Sequence, residues 1–265
     1  LASEGVWVEP ASAAGLEAQA RRWVDYLSAT DAAPAAIASA AATARTHYDF
    51  RLSVVGRDAQ EWRAGLEAFL RHETAPGLRT GQRVAGKRHK IALIYSGQGT
   101  QWAGMGVSLL AEAPFAAEVE AIDALWQPLA GWSIVDALRR GDQLDQTAVA
   151  QPAIFALQAG LTAIQRAWGL QIEGVAGHSV GEITAAYTGG ILSREDAVRV
   201  LYHRSRLMQA ATGQGKMAAV GVSEAEADAL LAGREAELSL AAINSPSLVT
   251  LSGAAEALEA VLAEA

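Results

Sequence analysis

The residues best placed to do chemistry are 177–181, which read G-H-S-V-G. Residues 175–176 are apolar and typical of a strand, and residues 182–186 favour a helix. A serine on a tight strand-to-helix turn is exposed as a nucleophile, and glycines allow that turn because they lack a Cβ. We therefore predict that Ser179 is a nucleophile and that Val180 N–H stabilises developing negative charge at a helix N-terminus. The alternative is a glycine-rich turn with an ordinary surface serine.

Composition excludes several other classes of protein. The 265 residues carry a formal net charge of −8, whereas a nucleic-acid-binding surface is basic. The chain has no cysteine, which excludes disulfides and thiolate chemistry. No apolar run reaches the roughly 18 residues that span a membrane, and no signal peptide is found. These features indicate a cytoplasmic enzyme that binds neither nucleic acid nor membrane.

Three further segments accompany the serine motif and together identify a family. An apolar strand at 91–94 leads into Y-S-G-Q-G-T-Q-W at 95–102, T-A-V-A-Q-P-A follows at 147–153, and Y-H-R-S-R stands at 202–206. In this order they resemble the acyltransferase domain of type I polyketide synthases, enzymes of antibiotic biosynthesis. They also resemble the free-standing malonyl-CoA:acyl carrier protein transacylases. The resemblance covers about residues 90–265.

The resemblance implies a role for each site residue. Gln98 supplies the second oxyanion-hole donor, Gln151 lies close to the acyl-serine, and Arg204 grips the free carboxylate of a malonyl group. An arginine suits that task because its planar fork meets both carboxylate oxygens and stays charged. The alternatives are a simple loop at Gln98, helix capping by Gln151 and a helix-surface position for Arg204.

The resemblance also implies the reaction. Ser179 takes a malonyl group from malonyl-CoA, and the phosphopantetheine thiol of an acyl carrier protein then accepts it, with no metal or redox cofactor. The family's catalytic histidine stands well after Ser179 and beyond Ala265, so we expect the base to lie outside this sequence. His178 and His203 are predicted to face away from the nucleophile. Residues 146–151 resemble the malonyl rather than the methylmalonyl pattern, although Val149 stands where an aromatic residue is common.

The predicted fold is α/β, a hydrolase-like parallel-sheet core with an inserted ferredoxin-like subdomain, preceded by a small α/β linker domain. Residues 1–89 resemble the linker that follows a ketosynthase, residues 90–213 form the large subdomain, and residues 214–265 form the small one. The order β-α-β-β-α in the last segment lacks the final strand of the ferredoxin-like pattern. Other expected elements are helices at 12–28, 35–45, 58–71, 102–112, 114–126, 151–168 and 194–211 and strands at 48–55 and 91–95. The basic cluster 87–90 is a solvated linker or a carrier-protein contact.

Two other functions are compatible with a serine on such a turn. An ester hydrolase of the α/β class uses an acid and then a histidine after the serine, and this chain has no late histidine. A docking segment between the ketosynthase and the carrier protein would have no catalytic activity. Measuring the intact mass after incubation with malonyl-CoA separates these hypotheses.

Overall fold

The structure, a computed structural model, describes residues 4–8, 12–84, 86 and 90–264. Its internal contacts divide the chain into two compact units, Leu1–His89 and Lys90–Ala265. Most of the basic cluster predicted at 87–90 lies outside the described residues. Lys90 is described, and its Nζ lies 3.9 Å from Glu173 Oε2.

The first unit is a three-stranded antiparallel sheet in the order β1-β2-β3, with three helices. Its elements are β1 (Glu4–Val8), α1 (Ala13–Ala29), α2 (Pro34–Thr43), β2 (Phe50–Gly56), α3 (Ala59–Leu70) and β3 (Leu78–Gln82). Its core contains Trp23, Ile37, Leu52, Trp62 and Leu66. The helices and β2 were expected, whereas β1 and β3 were not. Strand β3 reads L-R-T-G-Q and is mostly exposed, so it has no apolar alternation to detect.

The second unit begins with two parallel strands covered by helices. Its first elements are β4 (Ile91–Tyr95), α4 (Ala113–Ala130), α5 (Ile134–Arg140), α6 (Thr147–Ala167), β5 (Ile172–Gly177), α7 (Val180–Thr188) and α8 (Arg194–Ala210). Strand β4 pairs with β5 in parallel, so the carboxyl ends of both strands lie at the same edge. This α/β arrangement is the predicted fold class, and the edge holds both predicted oxyanion donors.

Three expectations for the second unit were wrong in detail. The helix expected at 102–112 is a series of turns and a short 3-10 helix, Ser108–Ala111, because Gly104 and Gly106 have positive φ values of 90° and 76°. Helix α5 was missed. Helix α6 starts at Thr147, so Pro152 lies inside the helix and not in its first turn.

Residues 216–264 form the β-α-β-β-α unit that the sequence predicted. Its elements are β6 (Lys216–Val220), α9 (Glu224–Leu231), β7 (Leu238–Ser245), β8 (Leu248–Gly253) and α10 (Ala255–Glu264). The sheet is antiparallel in the order β6-β8-β7, which is the strand order of a ferredoxin-like subdomain. A separate small core lies beneath it, built on Val249, Leu251 and Val261.

Helix α6 is the central helix of the second unit. Among the described residues it is the one helix long and apolar enough, by length and composition, to cross a membrane, and most of it is buried. Buried members include Phe155, Gln151 and Gln158. Its amino-terminal turns face the functional site described below.

Candidate active site

Ser179 lies on the turn between β5 and α7 and has an unusual backbone conformation. Its φ is 56° and its ψ is −115°, in a region that residues with a side chain rarely occupy. The neighbouring glycines are required by contact, since a Cβ on Gly177 would lie 2.1 Å from Gly181 O. A Cβ on Gly181 would lie 2.3 Å from Tyr95 O. The turn therefore has the geometry of a nucleophile elbow.

Two backbone contacts hold the elbow in this conformation. Ser179 N–H donates to Glu182 Oε1 at 3.0 Å, and Glu182 N–H donates to Ser179 O at 3.0 Å. Val180 is the first residue of α7, where an α-helix leaves N–H groups without an intrahelical acceptor. Its side chain is fully buried. This N–H is therefore fixed in place beside the serine and available to a substrate oxygen.

The loop that carries Gln98 packs directly against the elbow. His178 N–H donates to Tyr95 O at 3.0 Å, which joins the ends of β4 and β5. A Cβ on Gly97 would lie 2.8 Å from His178 Nδ1 and 3.4 Å from Ser179 Cβ. The absence of a Cβ on Gly97 eases this close approach, so Gln98 directly follows a point where the loop contacts the elbow.

Five side chains form one hydrogen-bonded series that runs from Thr147 to Ser179. Arg204 Nη2 donates to Ser179 Oγ at 2.9 Å, and Arg204 Nη1 donates to Gln151 Oε1 at 2.5 Å. Gln151 Nε2 donates to Gln98 Oε1 at 3.1 Å. Gln98 Nε2 in turn donates to Thr147 Oγ1 at 3.1 Å. The structure thus brings together Ser179, Gln98, Gln151 and Arg204, which the sequence placed on four separate segments.

The Arg204 guanidinium is a partly buried positive charge. Burial lowers the pKa of Arg204 from its usual value, and the charge of Glu182 acts in the opposite direction. An arginine nevertheless stays protonated in proteins. Within the described part of the chain, no carboxylate forms an ion pair with it at 4.0 Å or less. The site therefore holds a cationic fork whose present partners are neutral oxygens.

Gln151 is a buried helix residue, only 1% exposed, and does not cap α6. Its Nε2 also lies 3.3 Å from Met208 Sδ. Thr147 and Met208 were not predicted as site residues. Helical spacing could have found Met208, which stands four residues after Arg204 on a predicted helix, whereas Thr147 lies before the helix predicted at 151–168.

Neither His178 nor His203 is hydrogen-bonded to the Ser179 hydroxyl. His178 is exposed, and its ring lies beside Gly97. His203 is exposed, with its ring 5.2 Å from that of Tyr202. Among the described residues, Arg204 is the side chain hydrogen-bonded to Ser179 Oγ, and no group of three or more histidine, aspartate or glutamate residues could hold a metal ion.

Comparison with known proteins identifies the family. Residues 92–265 match the acyl transferase domain family. The chain belongs to this family. It is 39% identical over 277 aligned residues to polyketide synthase GfsA of Streptomyces halstedii, an alignment that covers 97% of this chain and 4% of that protein. The acyl transferase domain is thus a small part of such relatives.

Solved structures agree with the family assignment. The acyltransferase domain from module 8 of the salinomycin polyketide synthase superposes with a TM-score of 0.86 at 30% identity, covering 99% of this chain and 63% of that one. The malonyl-CoA:ACP transacylase of Synechocystis superposes with a TM-score of 0.59 at 34% identity, covering 66% of this chain and 58% of that one. The α/β fold of this acyl transferase domain is therefore shared with both.

Proposed function

We propose that this chain loads a malonyl-type extender unit from CoA onto an acyl carrier protein through an ester on Ser179. The observation that carries the proposal is the contact between Arg204 and Ser179 Oγ at 2.9 Å on a nucleophile elbow. It unites the two requirements of the reaction, an exposed nucleophile and a cation for a free carboxylate.

In the first half-reaction, Ser179 Oγ attacks the thioester carbon of malonyl-CoA. The new O–C bond forms while the C–S bond breaks, and the serine proton passes through a general base to the leaving CoA sulfur. Val180 N–H and Gln98 N–H are proposed to stabilise the tetrahedral oxyanion, a task in which each donor is typically worth about 10²–10³ in rate. In the second half-reaction a phosphopantetheine thiol attacks the ester carbon. The new C–S bond forms while the C–O bond to Ser179 breaks, and the thiol proton passes through the base to Ser179 Oγ.

Arg204 is proposed to select an acyl group with a second carboxylate. The carboxylate of a malonyl ester is joined to the ester carbon by a single methylene, so a guanidinium that reaches Ser179 Oγ is also close enough to reach that carboxylate. Gln151 holds one side of the guanidinium fork at 2.5 Å and leaves the other side to turn from Oγ to the substrate. Buried Val149 and Val180 are proposed to restrict the space beside the acyl group.

The partners and the domain roles are part of the same proposal. Residues 1–89 would be the linker that joins a ketosynthase to the acyltransferase, residues 90–213 the large subdomain and residues 214–265 the small one. An acyl carrier protein would be the acceptor of the malonyl group. The similarity to the Synechocystis malonyl-CoA:ACP transacylase supports this choice of donor and acceptor.

The test is to incubate the full-length protein with malonyl-CoA and to measure its intact mass before and after adding carrier protein. We expect a malonyl adduct that maps to Ser179, is absent in Ser179→Ala, and moves to the carrier protein. Rapid release of free malonate without transfer would instead identify an ester hydrolase. Absence of any adduct in the wild-type protein would leave only a docking role.

A further inference from the structure

We propose that Gln101 is a positioning residue that fixes the Gln98 loop in the conformation needed for oxyanion stabilisation. This inference rests on the proposed function, because it concerns the donor that Gln98 supplies. Gln101 itself does not reach the nucleophile through any hydrogen bond in the described residues. It acts through the backbone of its own loop.

The first supporting contact lies immediately after Gln98. Gln101 Oε1 accepts a hydrogen bond from Gly99 N–H at 2.8 Å. Gly99 has a φ of 118°, which residues with a side chain rarely adopt. Because the peptide unit is planar, fixing Gly99 N–H also fixes the carbonyl of Gln98 on the opposite side of that unit.

The second contact ties the loop to another part of the fold. Gln101 Nε2 donates to Leu144 O at 3.0 Å, in the segment just before α6. Leu144 is buried, 8% exposed, and belongs to the core of the second unit. The side chain therefore joins a loop without regular structure to the backbone of a buried core residue.

The peptide unit before Gln98 is held from within the loop. Thr100 Oγ1 donates to Gly97 O at 3.3 Å and lies 3.2 Å from Ser96 Oγ. In a trans peptide the carbonyl of Gly97 and the N–H of Gln98 point in opposite directions. Thr100 and Gln101 thus fix the two peptide units on either side of Gln98. Gln101 joins them to the core through Leu144 O, beside the bonds of Gln158 to Ser96 and of Gln151 to the Gln98 side chain.

The test replaces Gln101 in the full-length protein with two residues that separate its contacts. Gln101→Met keeps the length of the side chain and removes both hydrogen bonds. Gln101→Glu keeps an acceptor for Gly99 N–H and loses the donor to Leu144 O. Gln171→Met is the control, because Gln171 is an exposed glutamine whose Nε2 bonds only to Gly169 O, at 3.4 Å, among the described residues.

Single-turnover acylation by malonyl-CoA provides the first measurement. We expect the saturating acylation rate to fall about 10- to 100-fold in Gln101→Met, which is less than the loss of a whole oxyanion donor, and to fall less in Gln101→Glu. The half-saturating concentration of malonyl-CoA should stay within about twofold of the wild-type value, because the substitution leaves the Arg204 guanidinium unchanged. If Gln101 had a merely structural role, its replacement would change both the saturating acylation rate and the half-saturating concentration of malonyl-CoA, or neither of them.

A fluorophosphonate provides the second measurement and does not depend on malonyl transfer. Ser179 Oγ attacks phosphorus, the P–F bond breaks, fluoride leaves and the serine proton goes to the base, while the P=O oxygen occupies the oxyanion site. With the fluorophosphonate we again expect the wild-type protein to react fastest, Gln101→Glu more slowly and Gln101→Met most slowly. If the wild-type protein is phosphonylated but not malonylated, the proposed function fails and the role of Gln101 is still decided. Wild-type rates in Gln101→Met with this reagent, or no reaction of wild-type Ser179 with either reagent, would overturn the inference.

Discussion

At the scale of single residues, the hydrogen bond from Arg204 to Ser179 Oγ joins the proposed substrate-binding group to the proposed nucleophile. Its guanidinium is the only charged group that contacts Ser179 Oγ among the described residues, and its other nitrogen is held by buried Gln151. A monocarboxylic acyl group would leave this partly buried charge without an anionic partner. Selectivity for a dicarboxylic unit is therefore expected to reside in this one side chain.

We predict that Arg204→Ala lowers kcat/KM for malonyl-CoA far more than for acetyl-CoA. Losing a charge-assisted pair in a partly dry site costs about 2–5 kcal/mol of transition-state binding. Arg204→Lys should recover only part of the loss, because an ammonium cannot form the bidentate fork. Arg199→Ala, on the exposed side of α8, is the control. Equal losses for the two thioesters would show that Arg204 is structural.

The tight turn at Ser179 could be predicted from sequence because it rests on a local pattern, whereas the roles of Gln98, Gln151 and Arg204 were expected from the resemblance to a family. The G-H-S-V-G turn and its flanking strand and helix are contiguous, and the φ of Ser179 follows from that arrangement. Thr147 and Gln101 were not assigned roles, since their partners stand 49 and 43 positions away in the chain. Such contacts depend on how β4, α6 and α8 pack, which no local pattern specifies.

At the scale of elements, helix α5 shows why short segments escape sequence reasoning. It has only seven residues, so it offers too few turns for a helical repeat to stand out. Tertiary contacts hold it instead. Buried Asp123 of α4 accepts from Ile134 N–H at 2.6 Å, from Ser133 Oγ at 2.8 Å and from Gln127 Nε2 at 2.8 Å. One carboxylate on a neighbouring helix thus organises the amino terminus of α5.

We predict that Asp123→Ala lowers the free energy of unfolding of the second unit by about 2–3 kcal/mol, because buried donors lose their acceptor. The matched control is Asp136→Ala, an exposed carboxylate in the first turn of α5 that pairs with Arg139 at 3.8 Å. Its cost should stay below about 1 kcal/mol. Urea denaturation followed by tryptophan fluorescence measures both. An equal effect of the two substitutions would contradict this account of α5.

The helix that contains Gln151 shows a second limit of sequence reasoning. Proline is favoured in the first turn of a helix, so Pro152 suggested a start at 151. The helix instead begins at Thr147 and accepts a proline that cannot donate to the carbonyl of Ala148. The extra turn places Thr147 beside Gln98. The extra turn at the start of α6 therefore adds a hydrogen-bond acceptor for the Gln98 side chain, which the predicted start at 151 did not include.

At the scale of the whole molecule, the hydrophobic core of the first unit is separate from the two cores of the second unit. Leu66 is fully buried in the first unit, and Leu138 is 1% exposed in the second. All the proposed catalytic and binding residues lie in the second unit. Stability and catalysis should therefore respond differently to core substitutions in the two units.

We predict that Leu66→Ala destabilises the first unit by about 2–5 kcal/mol and leaves the rate of Ser179 acylation unchanged at temperatures where the protein stays folded. Leu138→Ala should have a similar thermodynamic cost but act on the second unit. Calorimetry and single-turnover acylation of the two variants provide the comparison. A tenfold loss of acylation in folded Leu66→Ala would show that the first unit contributes to the site.

The positive φ of Ser179 lowers the stability of the protein at the position of the proposed nucleophile. A residue with a Cβ in this conformation costs of order 1–3 kcal/mol, and glycine avoids most of that cost. We therefore expect the free energy of unfolding, measured by urea denaturation, to be about 1 kcal/mol higher for Ser179→Gly, which cannot be acylated, than for Ser179→Ala. Equal urea midpoints of the two variants would show that the backbone at residue 179 is not strained. A descendant released from selection for acyl transfer would thus gain stability through a single mutation to glycine.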